Sequence, residues 1–163
     1  MQVEGKSFRT VWLEDEPRAV GIIDQRKLPF AFELVTLRST ADAAKAILEM
    51  YVRGAGCIGA VAAHGMYLAA EECAEEADGS AAFDLLFQKK GAELCATRPT
   101  AVNLEWAVTR QCREVAAVSS IDDKVKRARE VAREVADEDA DWGRSIGEQG
   151  LELLRDIASK KEN

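Results

Sequence analysis

Between residues 7 and 37 the apolar residues come in short runs separated by turn formers. Phe8, Val11 and Leu13 mix with polar neighbours, Glu14-Asp15-Glu16-Pro17 makes a turn, and Val20 to Asp24 is a second apolar run. Arg26-Lys27-Leu28-Pro29 interrupts, and Phe30 to Leu37 is a third run, rich in strand formers. The pattern predicts a small antiparallel β unit over residues 1–38.

From Ser39 the period becomes helical. Ser39 with Asp42 three residues on reads as a helix start, and Ala43, Ala44, Ile47, Leu48 and Tyr51 recur at helical spacing. A second helix is predicted from about Gly56 to Ala77. Its first half is almost wholly apolar, which marks it as central, and its acidic end (Glu71 to Asp78) reads as solvated, with Gly79 as the stop. Ser80 is expected to cap a third helix, Ala81 to Ala96, with Phe83, Leu86, Phe87 and Leu94 facing inward. Arg98, before Pro99, resists the α conformation and separates this helix from the next, which runs from Ala101 to about Val118 with Thr100 as its expected cap.

The last helical region runs from Asp122 to about Ser159. Ile121, Val125, Ala128, Ala132, Val135, Trp142, Ile146, Leu153 and Ile157 form a seam along it. Asp139 occupies a seam position, where a buried carboxylate would need a partner. Gly143, Gly147 and Gly150 point to close approach or to a break, and a helix of this length is unusual, so a break is expected between Asp137 and Trp142. The expected fold is α+β: a small front sheet over 1–38, then a bundle of about five helices over 39–163.

Composition adds limits rather than a function. A chain of 163 residues, 47% apolar, can bury a core as one domain. A net charge of −7 argues against broad nucleic-acid or anionic-membrane binding and still allows a local basic pocket. No apolar run approaches the ~20 residues a membrane span needs, and Met1 to Lys6 has no signal-peptide core, so a cytoplasmic location is expected. Cys57, Cys73, Cys95 and Cys112 match no zinc spacing, imply no metal, and read as buried free thiols. Cys57 stands apart, because the first turn of a helix would stabilise its thiolate. His64, inside the apolar helix, reads as a packed histidine.

Candidate chemistry gathers at Arg53-Gly54-Ala55-Gly56-Cys57-Ile58-Gly59. Glycines allow a tight turn and close backbone approach, a helix start offers free N–H groups, and an arginine suits phosphate. The spacing is neither a Walker loop nor a dinucleotide fingerprint, so two readings stand: an anion site, or a glycine-softened helix start built for close packing. Arg98 sits at a second helix-to-helix junction. Together the two arginines could clamp one anion, or each could tie down the end of the helix before it.

Residues 53–59 resemble the RGAPAIG segment of methylthioribose-1-phosphate isomerases, and Thr97-Arg98-Pro99-Thr100-Ala101-Val102-Asn103-Leu104 resembles their SRPTAVNL segment. Ile23 to Pro29 is similar to an early "DQ…LP" stretch, and Ile146-Gly147-Glu148-Gln149-Gly150 to IGEHG. The wider superfamily includes ribose-1,5-bisphosphate isomerases and the regulatory subunits of eukaryotic translation initiation factor two B. The resemblance implies a small strand-and-helix N-terminal domain followed by a Rossmann-like domain, and aldose–ketose isomerisation of a sugar 1-phosphate without metal or nucleotide cofactor. It implies that Arg53, Gly54 and Ala55 bind substrate and that Arg98 grips the phosphate. Gly56, Pro99 and Asn103 would support the loops.

The same resemblance places the catalytic cysteine and aspartate in the second domain, outside this chain. Neither Cys57 nor Asp139 matches those positions, so no catalytic residue is assigned. Gly56-Cys57 replaces Pro-Ala, which loosens the turn. The implied partners are a sugar phosphate, a separate Rossmann-like C-terminal half and, in some assemblies, a second copy of the chain. The implied function is the substrate-binding N-terminal part of an isomerase. The alternative is a non-catalytic ligand-sensing or interaction module, and a free-standing structural role for the helical domain is a third reading. An exposed face is expected where the second domain would lie.

Overall fold

In the computed structural model, residues 2–3 and 5–161 are described. Strands β1 (Gln2–Val3) and β2 (Lys6–Ser7) form a short antiparallel hairpin. Strands β3 (Val11–Leu13), β4 (Val20–Ile23) and β5 (Leu34–Leu37) form an antiparallel sheet in that order. Its register pairs Val11 with Ile22, Leu13 with Val20, Val20 with Leu37 and Ile22 with Val35, so these apolar residues share one face. The third apolar run is only half strand: Phe30 to Glu33 remain loop, because Arg26 to Pro29 form a turn whose bonds, such as Phe30 N–H to Lys27 carbonyl at 3.0 Å, hold the chain off the sheet.

Five helices follow: α1 (Thr40–Leu48), α2 (Ala55–Glu76), α3 (Ser80–Thr97), α4 (Val102–Ala116) and α5 (Ile121–Lys160). The α+β architecture is the one the pattern predicts. Ser39 caps α1, accepting from the Asp42 N–H at 3.0 Å, and Ser120 caps α5 in the same way through Asp123 at 3.1 Å. The other expected caps differ. Gly79, not Ser80, precedes α3, and Ala101, not Thr100, precedes α4; neither start is closed by a side chain.

Helix α2 is the axis of the bundle. From Ile58 to Ala70 every residue is buried, because α1, α3, α4 and α5 all pack against it. Small side chains permit this crowding. A Cβ on Gly59 would meet the Asn103 carbonyl at 3.0 Å, so glycine there lets the start of α4 lie directly on the start of α2. Gln111 links three helices: its side-chain amide donates to the Ala63 carbonyl of α2 at 2.8 Å and the Ala128 carbonyl of α5 at 2.9 Å. The acidic end of α2 is less solvated than expected. Glu72 accepts from the Thr40 N–H and hydroxyl and from Lys90 Nζ, tying α1 and α3 to α2.

Helix α5 runs unbroken through the expected break. Ala136 to Asp141 holds no proline and only helix-compatible residues, so nothing stops propagation there. Ala128, Ala132 and Val135 of the seam are buried, but Trp142, Ile146, Leu153 and Ile157 are exposed, and nothing lies within 4 Å of a Cβ built on Gly143, Gly147 or Gly150. The second half of α5 therefore presents an exposed apolar face. Among the described residues no helix is long and apolar enough to cross a membrane.

Candidate functional site

Two junctions build the site. At the first, α1 ends at Glu49, Met50 turns in the left-handed region (φ 59°), and Gly54 (φ 91°) starts α2. A positive φ of that size is cheap for glycine alone. Ile58 N–H donates to the Gly54 carbonyl at 2.9 Å, the first bond of α2. At the second junction, Arg98 closes α3, and Ala101 N–H returns to the Arg98 carbonyl at 2.9 Å, forming the tight turn that carries Pro99 and Thr100. Gly59 packed on Asn103 brings the two junctions side by side.

Between them lies a cavity of about 490 Å³ lined by Arg53, Gly54, Ala55, Arg98 and Asn103, with Met50, Ile58, Thr100, Ala101 and Val102 completing the wall. This size suits a small molecule. Five of the seven residues singled out from sequence thus meet at one opening. The other two lie outside the lining: Gly56 turns toward α5, and Pro99 borders a neighbouring cavity of about 310 Å³ shared with Arg98, Cys95 and Glu105.

The cavity is electropositive by construction. Among the described residues neither the Arg53 nor the Arg98 guanidinium is held in an ion pair. Neither α2 nor α4 has a side-chain cap, so their first N–H groups remain free at the opening. No Asp, Glu, His, Cys or Lys lines it. The arrangement can hold an anion, with Met50, Ile58 and Val102 offering an apolar wall beside the charge. It offers no acid–base pair for proton transfer at that anion. Met50 carries no signal in the sequence; Ile58 lies within the glycine-rich stretch and Thr100 to Val102 within the arginine–proline motif, where nothing in the residue types alone points to a lining role.

The helix start does not favour the Cys57 thiolate. Cys57 lies behind the cavity in the first turn of α2, where Gln25 Nε2 donates to its sulfur at 3.6 Å. Burial is the largest influence and pushes its pKa up, against hydrogen bonds from Thr10 and Gln25, and the Asp139 charge adds to the rise. Desolvation outweighs the helix end. Gln25 belongs to the "DQ…LP" stretch, whose Asp24 is buried and gripped by Arg26 at 2.7 Å. His64 is fully packed, Nδ1–H donating to the Ala60 carbonyl at 2.8 Å, and burial lowers its pKa to about 4. Among the described residues no group of three or more His, Cys, Asp or Glu could hold a metal ion.

Asp139 leaves the apolar seam for the start of α2. Its half-buried carboxylate rests against Gly56, where any side chain would overlap Oδ1. The glycine at this position, where RGAPAIG has proline, is the space that the carboxylate fills.

Comparison with known proteins points the same way. The pattern of the Initiation factor 2 subunit family matches residues 51–159. Methylthioribose-1-phosphate isomerase of Methylorubrum extorquens is 44% identical over 171 residues, covering 99% of this chain and 42% of the relative. Its counterpart in Escherichia coli is 42% identical over 161 residues, covering 99% of this chain and 41% of the relative. Among solved structures, subunit delta of translation initiation factor eIF-2B from A. fulgidus superposes with a TM-score of 0.82 at 33% identity, covering 90% of this chain and 42% of that one. The 5-methylthioribose 1-phosphate isomerase from Pyrococcus horikoshii gives 0.70 at 36%, covering 82% and 37%. The chain spans about two fifths of the length of the curated relatives it matches, in their N-terminal part.

Proposed function

Because the chain belongs to the Initiation factor 2 subunit family, we propose that it is the substrate-holding N-terminal part of an aldose–ketose sugar-phosphate isomerase akin to methylthioribose-1-phosphate isomerase. One observation carries this reading: two arginines without an ion pair among the described residues share a single cavity with two helix starts that no side chain caps. In this reading Arg98 grips the phosphate with a charge-assisted fork, Arg53 with the Gly54-Ala55 backbone holds the sugar end, and Asn103 braces the α4 start. The apolar wall of Met50, Ile58 and Val102 takes the less polar part of the ligand. Proton transfer between the sugar carbons needs an acid and a base that the cavity lining lacks, so catalysis falls to a Rossmann-like C-terminal half. That half would cover the exposed face of α5. Residues 1–38 act as a small subdomain beside the bundle of 39–163, and the assembly works in the cytoplasm.

A sensing or interaction module is the second reading. It is favoured by the closer superposition on the eIF-2B delta subunit than on the isomerase.

Isothermal titration with ribose 1-phosphate tests the cavity. Binding is expected in the wild type, and Arg98→Ala should weaken it by at least ~10-fold, the weight of one charge-assisted contact. Unchanged affinity in Arg98→Ala would remove the clamp. Native co-purification, with the eluate assayed for aldose–ketose isomerisation, separates the two readings. A stoichiometric Rossmann-like partner with activity supports the isomerase; a lone inactive chain that still binds the sugar phosphate supports the sensor.

A further inference from the structure

The inference that follows rests on reading the Arg53–Arg98 cavity as an anion site. Asp139 reaches the first turn of α2 from α5, and its carboxylate occupies the space beside Gly56. Among the described residues it forms no hydrogen bond or ion pair, so no partner neutralises its charge. The charge is felt at Cys57, the next residue along the same turn. That turn also faces the cavity, because Gly54 and Ala55 line it. The free N–H groups at the start of α2 are one set of donors with one positive end. No acidic residue of α2 itself sits in its first turn, so the carboxylate there arrives only by packing from α5.

We propose that Asp139 is a specificity-determining residue of the anion site. It places a resident negative charge at the helix end that an incoming phosphate must use, and so lowers affinity for doubly charged anions more than for singly charged ones. Coulomb energy scales with ligand charge. Removing the Asp139 charge therefore benefits a dianion with about the square of the factor gained by a monoanion. Gly56 is part of the device, since its missing side chain is what lets the carboxylate approach.

The test is titration calorimetry on the 163-residue chain at low salt and pH 8. The ligands are inorganic phosphate, a dianion there, and dimethyl phosphate, a monoanion. Asp139→Asn keeps the shape and deletes the charge. It is expected to tighten inorganic phosphate about five- to tenfold and dimethyl phosphate about two- to threefold. Gly56→Ala, which pushes the flexible carboxylate aside while favouring the helix, is expected to act in the same direction. In both backgrounds Arg98→Ala should abolish the gain. A role confined to stability predicts the opposite sign, since a loosened α2 start would bind less well. Wild-type binding with equal or weaker binding by Asp139→Asn overturns the role of Asp139 and leaves the cavity reading standing. Tighter binding that survives Arg98→Ala means the anion binds outside the arginine cavity, and also overturns it. No phosphate binding by either protein removes the cavity reading and this inference together.

Discussion

The two halves of α5 carry the same apolar spacing and meet opposite fates. Up to Val135 the seam of small residues, Ala128, Ala132 and Val135, is buried against α2 and α4. Beyond Asp139 the seam continues in larger residues, yet Trp142 is 56% exposed and Ile146 73%. Gly143 and Gly147 lie one position on from Trp142 and Ile146, so small residues run beside the apolar seam there. Periodicity decides that a segment is helical and which face is adhesive. What lies opposite decides whether that face is buried, and that information is not in the segment itself. Each Leu or Ile covered would contribute about 1.5–3 kcal/mol, a strong reason for a partner to dock there. The family match, which runs to residue 159, includes this half.

The sharpest way to break the comparison is to put a carboxylate in each half. Val135→Asp should cost at least ~3 kcal/mol in urea unfolding, because the charge enters a dry contact with no partner. Ile146→Asp should change stability by less than ~0.5 kcal/mol, as surface substitutions do, while preventing co-purification of a C-terminal half. Equal effects on stability would mean that the second half is covered in the isolated chain.

A pH titration probes the packed half alone. His64 lies beneath Arg133, Ala136 and Asp137 of α5, and its pKa falls from 6.5 to about 4 through burial. The unfolded chain therefore binds this proton more readily than the folded one. Stability is full above pH ~6.5 and declines as pH falls toward 4, by up to ~3 kcal/mol. His64 is the only histidine, so the loss between pH 6.5 and 5 should vanish in His64→Gln, measured by urea midpoints across the range. A gain smaller than the His64 loss is expected at Gly147. It faces open space, so Gly147→Ala should raise helix content by circular dichroism and add about 0.5–1 kcal/mol locally, with no loss of packing.

Much of the fold was legible because local rules and burial agree in it. Ser39 caps the helix it precedes, and Phe83, Phe87 and Leu94 point inward as their spacing requires. The arginines stand out in the sequence because no apolar pattern explains them, and the junctions that carry them meet at one cavity. What escaped depends on contacts distant in sequence. Met50 joins the wall only because the chain turns left-handed there, Gln111 bridges helices that sequence cannot bring together, and Asp139 finds Gly56 only once α5 packs on α2. The glycines alone point to a break in α5, but the helix formers around them outweigh their penalty, and no proline or competing cap enforces a stop.

An uninterrupted α5 is also a mechanical element. At ~1.5 Å per residue, Ile157 lies about 33 Å along the axis from Val135, where the last packed turn acts as a fulcrum. A tilt of about 5° at that fulcrum, within what a repacked helix contact allows, would swing the far end by about 3 Å. The bundle thus holds a lever whose short arm is clamped against α2 and whose long arm carries the adhesive face. Asp139, which touches Gly56 at the first turn of α2, lies about one turn beyond that pivot.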